Sequence, residues 1–276
     1  MNPLYQLFIA SAIFGMPTGM FASTILNVDY ATGEMTSGIP GLTSTNAAAP
    51  DAARIETDYS RSGGFAISHK VVLDDVDYNS NGSPRSESDT LSILNTRYEP
   101  GMHRKYEFSF LLKDWEDWGG EFIPNDIIWQ FKHTGGGPDA TFGIKRNSLV
   151  FRYGATGQLN IINDMRPFDN KWIDLQTEIL WADDNTGFIK VFVKNEDQTT
   201  FSQVVDITNY KTFTDQATGD FGYLKWGLYR SDSTSSNNSL TRIVYHDNIT
   251  ISNIPEPSSS GLLMLSVLSF ACVRRR

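Results

Sequence analysis

The residues with the clearest chemical spacing lie in one stretch, Phe221-Gly-Tyr-Leu-Lys-Trp-Gly-Leu-Tyr-Arg-Ser231. Tyr223, Lys225, Gly227 and Tyr229 take alternate positions, and Leu224, Trp226 and Leu228 take the others. A strand sends successive side chains to opposite faces, so this stretch packs an apolar face inward. Its other face offers a phenol, an ammonium, a bare backbone position and a second phenol in a row. A polar face serving only solubility would more often carry Thr, Ser, Glu or Lys. Two tyrosines flanking a lysine and a glycine fit the floor of a site for a ring-shaped, anionic ligand. The plainer reading, a half-buried strand with amphipathic tyrosines, fits the spacing equally well.

The elements around this stretch are short and strand-like, with turn residues between them. Phe65 to Leu73 alternates and carries His69 and Lys70. Lys105 to Leu112 puts Tyr106, Phe108 and Phe110 on one face, and Asp126 to Lys132 is followed by His133 and a Gly-rich loop. Trp172 to Trp181 alternates as far as the turn Asp183-Asp184-Asn185-Thr186-Gly187. Phe188 to Val193 then answers it, which predicts a hairpin. Segments Ile25 to Val28, Thr141 to Ile144, Leu149 to Tyr153, Gln158 to Ile162 and Thr241 to Ile251 complete the series, while Gly38 to Pro50 reads as loop. There is no amphipathic helix and no internal repeat. A dozen or so strands without helices between them predict an all-β, antiparallel sandwich or barrel, as one domain of residues 23–253.

Three segments read together carry a family resemblance. Arg85-Ser86-Glu87 opens one strand, Gln130 ends another with Lys132 and His133 after it, and Tyr223-Leu-Lys225-Trp-Gly227-Leu-Tyr229 is the third. This set resembles the jelly-roll polysaccharide lyases: the heparin lyase I-like and glucuronan lyase-like group and, more distantly, the alginate lyases of the same fold. Those families carry an Arg-Ser/Thr-Glu strand, a Gln-x-His strand and a Tyr-x-Lys-x-Gly-x-Tyr strand side by side on a concave face. The resemblance spans roughly residues 55–251 and implies a concanavalin-like β-jelly roll with a concave substrate groove. It also implies β-elimination at a uronic acid: a base removes the C5 proton, donors stabilise the carboxylate as charge develops, and an acid protonates the departing C4 oxygen. By this resemblance Tyr223, Gln130, His133 and Arg85 are the catalytic candidates. Glu87, Lys132, Lys225, Tyr229 and Arg230 are candidates for substrate binding. Gln130 and Arg85 would neutralise the carboxylate, and His133 would serve as base with its ordinary pKa near neutrality. Tyr223 would act as acid or base, its phenol brought down by Lys225, Lys132 or Arg230. Gly227 would leave room for the sugar, and Glu87 would orient the Arg85 guanidinium.

One spacing departs from the family. Gln and His stand two apart there, on one strand face, whereas Gln130 and His133 stand three apart and Lys132 holds the intervening position. Either a bulge returns His133 to the groove, or Lys132 takes the place of the histidine and His133 belongs to the loop. In the second case Tyr223 serves as both base and acid, or His69 is brought in from its own strand. His69, Lys70, His103 and His246 otherwise read as structural or rim residues.

The ends read as addresses. The apolar run Leu7 to Phe21 before Ala22-Ser23 reads as a secretory signal over residues 1–22, although its first residues carry no Lys or Arg. Residues 254–276 hold Pro255-Glu256-Pro257, a short apolar segment and Arg274-Arg275-Arg276. This tail resembles a PEP-CTERM sorting signal. It implies export, transient membrane association and processing by an exosortase-type enzyme, and release to the cell surface, the extracellular matrix or the medium. The only cysteine, Cys272, lies in this tail, so the body has no disulfide and no cysteine metal site. With 23 Lys and Arg against 32 Asp and Glu, the net charge is −9, which argues against nucleic acid as partner and requires a local basic patch to meet an acidic polysaccharide. No cofactor is expected. Asp74-Asp75-Val76-Asp77 offers the oxygen ligands that a structural calcium takes, though such a run is more often a solvated loop. Two other readings use the same architecture. One is a non-catalytic carbohydrate-binding or matrix protein. The other is a glycoside hydrolase, for which Glu116-Asp117 and Asp183-Asp184 are the nearest acid pairs, each adjacent in sequence rather than spaced along one strand face.

Overall fold

Alternating apolar residues form strands over most of the chain, and the computed structural model of this protein describes residues 22–115, 125–214, 219–230 and 240–255. The first strands are β1 (Ser23–Val28), β2 (Ala53–Glu56), β3 (Ala66–Val72), β4 (Asn79–Ser80) and β5 (Ser83–Asp89). Then come β6 (His103–Lys113), β7 (Asn125–His133), β8 (Pro138–Lys145), β9 (Ser148–Tyr153) and β10 (Gly157–Ile162). The last are β11 (Trp172–Leu180), β12 (Gly187–Asn195), β13 (Ser202–Tyr210), β14 (Gly222–Arg230) and β15 (Thr241–Asn253). The compact unit runs from Ser23 to Ile254. The expected signal and sorting segments, and Glu116-Asp117, lie outside the described residues apart from Ala22, Ile254 and Pro255.

Two antiparallel sheets stack face to face, the arrangement of a β-sandwich jelly roll. One runs β13-β12-β11-β6-β15-β3-β2, with β1 also paired to β15, and the other runs β10-β9-β8-β7-β14-β5-β4. The inner faces supply the core. Phe108 of β6 stacks on Trp129 of β7 with ring centroids 3.9 Å apart. Trp226 of β14 is buried and donates its indole N–H to Tyr30 Oη at 2.9 Å. Leu224, Trp226 and Leu228 are all buried, so the apolar parity of β14 faces the core as its alternation requires. The hairpin expected after Trp172 forms as β11 and β12, in register from Ile173↔Asn195 to Leu180↔Phe188. Its Asp184 accepts hydrogen bonds from the N–H and hydroxyl of Thr186 at 2.8 and 2.5 Å, which makes that acid a turn cap and not half of a catalytic pair.

Candidate active site

β14 sits between β7 and β5, and directly opposed residues of an antiparallel ladder share a face. Tyr223 opposes Lys132, and Lys225 opposes Gln130 on one side and Asp89 on the other. Gly227 opposes Glu87, and Tyr229 opposes Arg85. The ladder continues outward, because Gln130 opposes Thr141 of β8 and Thr141 opposes Arg152 of β9. Arg85, Glu87, Gln130, Lys132, Tyr223, Lys225 and Tyr229 therefore gather on the outward face of the seven-stranded sheet.

Their contacts define an ordered centre. Glu87, 5% exposed, accepts hydrogen bonds from the Gln130 side-chain amide and from the Lys225 ammonium. It thus fixes an amide and a cation side by side. Its distance to the Arg85 guanidinium is 4.0 Å, so Glu87 orients Gln130 and Lys225 more tightly than it orients Arg85. Arg85 instead lies over the Tyr229 ring, 4.1 Å from its centroid, and its Nε has no hydrogen-bond partner among the described residues. That stacking leaves the edge of the guanidinium for an oxyanion. Lys132 Nζ donates to the backbone carbonyls of His133, at 2.9 Å, and Gly136. The loop holding those carbonyls is tied down by Thr134, whose hydroxyl donates to Asp220 Oδ1 at 2.9 Å.

The acid–base balance of the face differs from the expected one. Burial pushes the Tyr223 phenol up to about 12, with Asp89 and Glu87 adding to the rise and Arg85 opposing it. Lys225, already paired with Glu87, does not bring that phenol down. Lys132 lies below the usual lysine range because of burial, reinforced by the nearby charges of Lys225 and Arg85. Asp89, which sequence reading passed over, is raised chiefly by burial. Its signal was present in the run Arg85-Ser-Glu87-Ser-Asp89, whose alternation carries the same face two residues further.

Three expected placements are corrected. His133 is 3% exposed and lies on the opposite parity of β7 from Lys132 and Gln130. The β7–β8 ladder does shift register near this point, where Phe131 opposes Ala140 and Lys132 opposes Pro138. The extra residue is therefore Asp139 on β8, and the bulge does not turn His133 outward. His133 Nδ1 instead meets Asp139 Oδ2 at 3.2 Å, and the same carboxylate accepts from Tyr98 Oη at 3.0 Å and from the N–H and hydroxyl of Thr214 at 2.8 Å each. Arg230 is 0% exposed, because it falls on the core parity with Leu228. It pairs there with Asp126, at 3.3 Å, and Asp126 also meets Arg242 at 3.2 Å. It does not reach the outward face. Gly227 has φ of +139°, and a Cβ there would lie 2.3 Å from the Ser86 carbonyl oxygen and 2.7 Å from Glu87 Cα. The glycine is thus required by the close approach of β5 to the bulged β14, and not by space for a ligand.

His69 is buried beneath the sheet, with Nε2 3.1 Å from Ser88 Oγ and 3.2 Å from the Ser44 carbonyl, and so does not reach the outward face. Lys70 pairs with Asp51 at 2.7 Å and His103 with Glu178 at 2.8 Å, both away from this face. Among the described residues no group of three His, Cys, Asp or Glu has the arrangement of a metal site.

The family model described as polysaccharide lyase matches residues 29–250. A search of the curated proteins gives no match. Among solved structures, the chain is similar to the endo-β-1,4-glucuronan lyase of the fungus Trichoderma reesei, with a TM-score of 0.61 and 20% identity over 84% of this chain and 96% of that one. It is also similar to a family 7 alginate lyase solved with substrate, with a TM-score of 0.52 and 12% identity over 83% and 99% of the two chains. The catalytic domain of a family 131 glycoside hydrolase from Coprinopsis cinerea gives a TM-score of 0.53 and 11% identity over 85% and 95%. At these identities the likenesses speak for the fold, which hydrolases and lyases share, and the family match speaks for lyase chemistry.

Proposed function

The chain belongs to the polysaccharide lyase family, and we propose that it cleaves a uronic-acid-containing polysaccharide by β-elimination on the outward face of the seven-stranded sheet. The observation that carries this reading is the gathering of Arg85, Gln130, Lys132 and Tyr223 on one face, with Glu87 holding the amide. The Gln130 amide and the Arg85 guanidinium meet the uronate carboxylate and stabilise the charge that develops as C5 loses its proton. Tyr223, whose phenol holds its proton well past neutrality, is the acid for the departing O4.

Lys132 is the base. A neutral amine has two N–H bonds and one lone pair; the carbonyls of His133 and Gly136 accept the two N–H bonds and leave the lone pair for the C5 proton. Its lowered pKa raises the neutral fraction. The C5–H electrons become the C4–C5 double bond, the C4–O4 bond breaks, and O4 takes the proton of Tyr223. Lys132, opposite Tyr223 across β7 and β14, then returns the C5 proton to the phenolate and resets the site.

The test is to incubate the protein with glucuronan, alginate and heparin and to follow the ultraviolet absorbance of the unsaturated uronate. We expect absorbance with at least one of them, reduced by roughly 10²–10⁴-fold in Tyr223→Phe. Binding without new absorbance would make the protein a carbohydrate-binding module instead, and new reducing ends without absorbance would make it a hydrolase. The ends of the chain support export, with residues 1–22 as a signal and residues 254–276 as a sorting tail handled by an exosortase-type enzyme after transient membrane association. Fractionating cells that make the full chain and its tail-deleted form would test this, since the reading requires the two forms to differ in location.

A further inference from the structure

We infer that Arg152 forms a second carboxylate-binding subsite, two strands from Gln130, which holds the uronate two sugars along the same polysaccharide chain. This rests on the lyase reading of the same face. The register places Lys225, Gln130, Thr141 and Arg152 in one line across β14, β7, β8 and β9. Strands lie about 4.8 Å apart, so Arg152 stands about 10 Å from Gln130 along that line. An extended, 1,4-linked pyranose chain advances per sugar by about one such strand spacing, so two sugars span that distance. A chain lying across the strands therefore brings successive sugars over successive strands.

Arg152 differs from the other cations of this face. Lys225 is paired with Glu87, Lys132 is held by two carbonyls, and Arg85 lies on Tyr229. Arg152 is exposed, and no ion pair or hydrogen bond engages its side chain among the described residues. It borders a cavity of about 320 Å³ together with Ile127, Thr141 and Tyr229. Ile127 and the Tyr229 ring give this cavity apolar surface for a pyranose face, and Thr141 gives a hydroxyl for a sugar hydroxyl. The guanidinium offers the planar, paired donors that a carboxylate accepts.

The experiment pairs calorimetric binding with steady-state cleavage, using glucuronan as the probe and, in parallel, whichever of alginate and heparin the wild-type protein binds. Arg152→Ala should weaken polymer binding and raise KM roughly tenfold, as loss of a charge-assisted hydrogen-bonding pair does, and KM should change more than kcat. Arg152→Lys should recover part of the loss. The effect should shrink with oligosaccharides too short to span two strands. Unchanged polymer affinity and KM in Arg152→Ala, with a melting temperature like that of the wild type, would overturn the subsite. Failure of the lyase reading has a different signature: wild-type protein that binds the polymer without forming unsaturated product. The binding comparison then still decides for or against Arg152.

Discussion

Lys132 and His133 are neighbours in sequence and face opposite ways from β7, and this parity decides which of them can reach a substrate. The sequence placed both near Gln130 but could not show where the ladder gains its extra residue. A bulge on β7 and a bulge on β8 are compatible with the same spacing and give opposite answers. Asp139 decides it, since its carboxylate gathers His133, Tyr98 and Thr214 under the sheet. A base on Lys132 predicts that kcat rises with pH through that residue's lowered pKa and falls as Tyr223 ionises near 12. Lys132→Arg keeps the cation but cannot lose a proton near neutrality. It should lower kcat by roughly 10²–10⁴-fold in a pH-rate profile. Wild-type kcat in that variant would remove Lys132 from the proton path.

Among the elements, β14 was the most legible, because Tyr223 to Tyr229 alternates cleanly and pairs on both sides with strands that carry the other two motifs. β13 was not legible. As the outermost strand it keeps little apolar pattern, and of Ser202 to Tyr210 only Val205 is buried. β2 and β4, with four and two residues, are too short for a period to register. Gly227 was legible as a special position, though for the wrong reason. Gly227→Ala should cost about 1–3 kcal/mol, as an over-packed contact does. Because the new Cβ would press on the backbone at Ser86 and Glu87, it should also disturb the Glu87 contacts to Gln130 and Lys225. Chemical denaturation together with kcat measures both effects. A variant with full stability and full kcat would contradict this close approach of β5 to β14.

At the scale of the molecule, the sandwich followed from strand periodicity, but the polar groups buried within it did not. Nothing in the local sequence marks Arg230 as a core residue except its parity with Leu228, and its partners Asp126 and Leu240 come from other segments. His69 is similar, and it makes stability depend on pH. Burial pushes its imidazole down to about 4, whereas the unfolded chain titrates near 6.5. The unfolded state therefore holds more protons between those values. The stability tied to His69 is full above about 6.5 and is lost as pH falls towards 4. Asp247 works the other way. Burial raises its carboxyl to about 6, so its neutral form is favoured in the fold as pH falls. Comparing His69→Gln with the wild type isolates the first effect. Between pH 7 and pH 4 the wild type should lose on the order of 3 kcal/mol relative to the variant in denaturant titrations. Parallel pH curves for the two proteins would contradict the assignment.

The cations of the outward face sit on a chain whose net charge is −9. At low salt, where the Debye length grows to about 30 Å at 0.01 M, the protein and a polyanion approach as two bodies of like sign, and encounter is slowed before any guanidinium is felt. Modest salt should therefore hasten capture by screening this approach, and higher salt should weaken the short-range hold of Arg85 and Arg152. kcat/KM for an anionic polymer is then expected to pass through a maximum with ionic strength, and a monotonic fall from the lowest salt would contradict it. On this account the local basic line governs how long a chain stays, and the acidic body governs how often one arrives.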